Sequence, residues 1–115
     1  MSIDVAMDEL GAVIEARGTD AYLVTVRDDR PHVVAVGVAV RGELLVVAPG
    51  RRTAANVQAH PKVTLLWPAT PQDPAHSLLV DGTAQVSDDG EWLEVAPTSA
   101  VLHRAGGRRR RLPDR

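Results

Sequence analysis

The segment PGRRTAANVQAHPKVTLLW, Pro49 to Trp67, decides the fold. It follows the apolar run Leu44–Ala48 and ends in a second one, Lys62–Trp67. Between them there is room for one short helix. Thr53 is the expected N-cap, and Ala54–Gln58 continue from it. Pro61 stops the helix near His60, because the residue before a proline avoids helical geometry. The helix opens on Arg51 and Arg52, where its dipole disfavours cations. Two readings fit that doubled charge: a bound anion, or a solvated turn with no further role.

Working outward, Asp4–Arg17 reads as a helix with Val5, Leu10, Val13 and Ile14 toward one face and Gly18 as its stop. Ala21–Arg27 is a first strand, Asp28–Pro31 a turn, and His32–Val40 a second strand. The second strand is apolar on both faces, which predicts a central position in a sheet, and Tyr22 is expected in the core. Arg41–Glu43 turns the chain into the third strand, Leu44–Ala48, and Lys62–Trp67 is the fourth. The proline-rich Pro68–Pro74 leads to a fifth strand, His76–Ser87, in which Gly82 marks a bulge or a close backbone approach. After the turn Asp88–Gly90, Glu91–Arg104 is a sixth strand, interrupted at Pro97. Six strands with so few long connections do not build a parallel sheet, which needs a long crossover at each step. The expected fold is mostly β: a six-stranded antiparallel barrel, which hides its edges. An N-terminal helix packs against an opening or a side of it, and a short helix lies between the third and fourth strands.

The chain has 115 residues, enough for one domain, and 44% of them are hydrophobic. With no cysteine it has no disulfide, thiolate metal site or thiol nucleophile. The acidic start carries no long apolar run and no stretch is long enough to span a bilayer, so a cytoplasmic location is expected. Charge is uneven. Residues 1–103 hold 7 basic and 14 acidic side chains, whereas residues 104–115 hold 6 basic and 1 acidic. The division expected is therefore a domain over residues 1–104 and a basic, flexible tail over 105–115. The run Arg108–Arg111 raises nucleic-acid binding as a further function class, but only three aromatic residues in the chain leave little to stack bases on.

The order of these elements resembles the FMN-binding split-barrel superfamily, the pyridoxamine 5′-phosphate oxidase-like proteins. The likeness is nearest to small actinobacterial members that include the F-420-type deazaflavin-dependent reductases. It is carried by YLVTVRDDRPHVVAVGVAV (22–40), ELLVVAPGRRTAANVQAHPKVTLLW (43–67), LLVDGTAQV (78–86) and LEVAPTSAVLHR (93–104), and it covers about residues 8–104. One departure is that many members have a helical stretch between the last two strands, where this chain has only Asp88–Gly90.

The resemblance implies a homodimer with FMN or an F-420-type deazaflavin in a groove at the subunit interface. Carried over, Arg52 and Thr53 take the cofactor phosphate with Arg51 beside them, and Ala48, Pro49 and Gly50 form the lip above it. The ring lies against the second and third strands, reached by Val33, Val34, Ala35 and Val36 through backbone and small side chains, with Gly37 allowing close approach. Asn56 bonds either the ligand or nearby backbone. The implied function is a flavin- or deazaflavin-dependent oxidoreductase acting on a small organic substrate; the alternative is a non-catalytic module of the same fold holding a flavin, a haem or an apolar ligand. No catalytic residue of the chain's own stands out. His32, His60, His76 and His103 lack metal-ligand spacing, and Ser77, Ser87 and Ser99 lack the context of a nucleophile.

Overall fold

A computed structural model describes residues 2–104 and Pro113; apart from that proline, the expected basic tail lies outside the described residues. The elements are β1 (Ser2–Asp4), α1 (Met7–Arg17), β2 (Asp20–Arg27), β3 (Arg30–Arg41), β4 (Leu44–Val47), α2 (Arg51–Ala59), β5 (Lys62–Trp67), β6 (Ser77–Val86) and β7 (Leu93–His103). The sheet order is β7-β4-β3-β2-β5-β6, and a β6–β7 pairing closes the ring. Every pairing is antiparallel. The six-stranded barrel is therefore as expected, and β1 is an addition on the free flank of β7, pairing Ser2 with His103.

Alternation along the strands fills the barrel. Leu23, Leu65, Leu78, Val80, Leu93 and Val95 point inward and are fully buried. α2 closes the end of the barrel where β4 stops and β5 begins, inserting Val57 into the core. α1 lies at the opposite end and seals it with Leu10 and Ile14. The Trp67 indole N–H donates to the Gly18 carbonyl at 3.0 Å, tying the end of that helix to β5. Beside it, the Arg17 guanidinium is only 5% exposed and bonds Asp73 Oδ2 at 2.6 Å and the carbonyls of Pro68 and His76. One basic side chain thus fastens the proline-rich loop to the helix and gives two loop carbonyls a partner.

Several expectations change. The first helix starts at Met7, because Ser2–Asp4 is extended and finds a ladder partner in the last strand. α2 is capped by Gly50, with no side-chain cap, so Thr53 is not the N-cap; it sits one turn in and is 3% exposed. Tyr22 is not a core residue: it is 42% exposed on the outer face of β2. Pro97 does not interrupt the last strand, which runs through it opposite Gly82. The ladder slips by a residue there, between Asp81 and Gly82, as the glycine suggested. β3 is central, between β2 and β4, yet only one of its apolar faces is buried.

Candidate functional site

α2 supplies the local chemistry at its end of the barrel. The first intrahelical bond, Ala54 N–H to the Gly50 carbonyl at 3.0 Å, leaves the amides of Arg51, Arg52 and Thr53 outside the helical ladder. The first turn holds no acid. Arg51 and Arg52 are exposed, and neither is in an ion pair among the described residues. Free amides, a dipole end and two guanidiniums together make a surface that attracts an anion. Ala48 and Gly50 are exposed and Pro49 half-buried on the approach to it.

The remaining candidates separate. Thr53 is buried with Asn56 and Val57 on the face of α2 turned to the barrel, unlike the exposed Arg51 and Arg52 beside it. Asn56 is 4% exposed and donates its side-chain amide to Thr25 Oγ1 at 3.1 Å. That bond holds α2 against β2 and satisfies two buried polar groups at once. Val34 and Val36 point into the barrel and pack against the core, so only their backbone faces outward. The outer face of β3 is instead Val33, Ala35, Gly37 and Ala39, all exposed, next to Tyr22 on β2.

His32 has no partner histidine at metal-ligand spacing in the sequence. It stands opposite Thr25 on β3, and its Nδ1 is buried without a hydrogen-bond partner. Sequence also gave no sign of the Asp73–His76 pair, in which His76 Nδ1 lies 2.9 Å from Asp73 Oδ1. The His76 ring, with Arg17, holds the Asp73 carboxyl below its ordinary pKa. The residues joined there are spread from α1 to the start of β6, and only the folded chain brings them together. A cleft of about 660 Å³ lies at the other end of β4, between α1, the β3–β4 turn and the middle of β7; none of the expected cofactor residues lines it. Among the described residues, no group of three or more acidic, histidine or cysteine side chains is placed to hold a metal, and no helix is long and apolar enough to cross a membrane.

A split barrel with a helix at each end defines the class of fold, that of the pyridoxamine 5′-phosphate oxidase-like proteins. The chain belongs to the pyridoxamine 5′-phosphate oxidase family, whose sequence pattern matches residues 7–115. It is 44% identical, over a 101-residue alignment, to uncharacterised proteins of Mycobacterium bovis and Mycobacterium tuberculosis, covering 73% of this chain and 70% of each relative. Solved structures with the same fold include the FAD binding protein of Mycobacterium smegmatis, at TM-score 0.63 and 17% identity, covering 90% of this chain and all of that one. Another is an F420 reductase, at TM-score 0.59 and 24% identity, covering 73% of this chain and 90% of that one.

Proposed function

We propose that the protein is a flavin- or deazaflavin-dependent oxidoreductase, assembled as a homodimer with the cofactor in the groove between subunits. One observation carries this reading: the exposed apolar face of β3 belongs to the same sheet that leads, through β4, into the unpaired arginines and free amides of α2. An apolar face of this kind favours a covering partner, and a cationic helix start favours a phosphate. The residues present fit such a group. Arg51 and Arg52 would hold its phosphate with the amides of the first helical turn, and Gly50 leaves space there, since a Cβ at that position meets nothing within 4 Å. Gly37 is similarly open on the outer face of β3. A bound flavin or deazaflavin supplies hydride or electron transfer; the chain's part is to bind the tail, flank the ring with small apolar groups and exclude water.

The test is titration of the apoprotein with FMN and with an F-420-type deazaflavin, read by fluorescence. Charge-assisted hydrogen bonds to a phosphate are worth about 1.5–3 kcal/mol. Arg52→Ala alone should therefore weaken binding by roughly tenfold to a hundredfold, and the double change with Arg51→Ala by more, without changing the fold. Absence of saturable binding by the unmodified protein to either compound would remove the reading. The tight β6–β7 link favours the second reading, a non-catalytic carrier: Ser87 N–H bonds the Trp92 carbonyl at 2.8 Å, and β7 follows β6 with no helix between them. A cofactor that binds but is neither reduced nor reoxidised by any donor or acceptor tried would decide for it.

A further inference from the structure

The barrel is open along one flank of β7. β4 pairs with it only from Leu93 to Val95, and β1 joins only from Val101 onward. Between these ladders, Val5 N–H bonds the Ala100 carbonyl, and α1 crosses the opening. The inner side of α1 seals the core with Leu10 and Ile14, but its first turns leave the outer part of the opening unfilled. The result is the cleft of about 660 Å³, a size typical of small-molecule sites.

Its walls are apolar: Leu10 on α1, Val40, Leu44 and Leu45 on the β3–β4 hairpin, and Pro97 on β7. Met7, a flexible side chain suited to irregular ligands, is 44% exposed at its edge, and Val40 is 37% exposed. Gly11 and Gly42 widen it. A Cβ on Gly11 would come no nearer than 3.8 Å to Val40, and one on Gly42 would meet nothing within 4 Å. The charged lining residues are Asp8 and Glu43; no lysine, arginine or histidine lines the cleft, and neither acid is in an ion pair among the described residues. Asp8 complements the N-terminal dipole of α1, whereas Glu43 sits in a turn with no such partner.

We infer that this cleft is a second binding site, distinct from the α2 end of the barrel, for a small apolar molecule carrying one protonated amine. The apolar walls take the body of the ligand and the rim carboxylates its cation. An anionic ligand meets two like charges and no counter-charge. The inference stands apart from the proposed cofactor, because no residue assigned to the cofactor touches the cleft.

The probes are tryptamine, its neutral alcohol counterpart tryptophol and the anion indole-3-propanoate, each titrated into the full-length protein. Binding is followed by the amide NMR signals of Gly11 and Gly42. Tryptamine should move both signals saturably and bind about threefold to tenfold more tightly than tryptophol, with the carboxylate weakest, a range set by the modest strength of exposed ion pairs. That advantage should shrink with added salt. Glu43→Gln should bring tryptamine to within about twofold of tryptophol and leave tryptophol unchanged. Gly11→Leu, which fills the cleft, should abolish the shifts from all three. Equal binding of the amine and the carboxylate by the unmodified protein overturns the inference, as does a lack of shifts at Gly11 and Gly42; both results need no variant to fold. FMN titration of Glu43→Gln reads the other site independently.

Discussion

Gly82→Ala should be the most damaging single-methyl change in the barrel. A Cβ at residue 82 would lie 2.7 Å from the Ala96 carbonyl oxygen, 2.8 Å from Val95 Cγ1 and 3.2 Å from the Ala96 carbonyl carbon. Two of these atoms are backbone of the neighbouring strand, and the third belongs to a fully buried side chain, so none can swing away. Relief requires β6 and β7 to part where their register already shifts. Overpacking a filled core costs about 1–3 kcal/mol, and a weakened ladder hydrogen bond adds about 1 kcal/mol. The expected loss is therefore roughly 2–4 kcal/mol, a large share of the 5–15 kcal/mol typical of a domain. Urea unfolding followed by tryptophan fluorescence reads it well, because Trp67 is 1% exposed in the core. With a slope of about 1–3 kcal/mol/M, the midpoint should fall by on the order of 1–2 M at unchanged slope. Gly11→Ala is the control: its Cβ makes only an ordinary contact, and replacing a mid-helix glycine should stabilise by about 0.5–1 kcal/mol. If Gly82→Ala lost less than about 0.5 kcal/mol, the close approach of the two strands would be misjudged and the reasoning refuted.

Other outcomes follow from named contacts. The β2–β3 turn holds Asp28 at φ 49° and Asp29 at φ 62°, so Asp29→Gly should raise the thermal midpoint, by up to about 1 kcal/mol of stability, in a melting experiment. Asn56→Ala strands the buried Thr25 hydroxyl and should cost about 1–3 kcal/mol in chemical unfolding, while the paired Asn56→Leu with Thr25→Val should cost less than the sum of the two single changes. The Asp73 carboxyl has its folded-state pKa lowered, so its contribution is present above the unfolded value of about 3.9 and is lost as pH falls through the folded value. Unfolding midpoints of Asp73→Asn and the unmodified protein should accordingly differ at pH 6 and converge as pH falls through the folded value; a constant gap would contradict the pairing with His76 and Arg17.

Some of this was readable along the chain because it is local. Pro61 ends α2 at His60, Gly18 ends α1 with φ 93°, and Gly90 closes the turn at Asp88–Gly90 with φ 74°, each set by backbone restrictions of one or two residues. Gly82 announced its bulge because only glycine tolerates that approach. The cationic start of α2 was visible too, since charge and helix polarity are both written in sequence order. The roles of Thr53 and Asn56 were not. Both residue types serve as caps or ligand contacts, and only the packing of α2 onto β2 turned Asn56 toward Thr25.

The amino-acid order by itself determined the strands, their short antiparallel links and the barrel that follows, because side-chain periodicity and turn chemistry act between near neighbours. Which face of β3 stays exposed was decided by tertiary structure. A strand apolar on both sides carries no signal of direction until Val34 and Val36 meet the core and leave Val33 and Ala35 outside. The same holds for Ser2–Asp4, which becomes a strand only because the last strand, a hundred residues away, offers it unpaired hydrogen-bonding groups. It holds equally for the cleft beside Pro97, which exists where two ladders fail to meet. Contacts between distant segments depend on the closed geometry of the whole ring, and no short stretch of sequence contains that geometry.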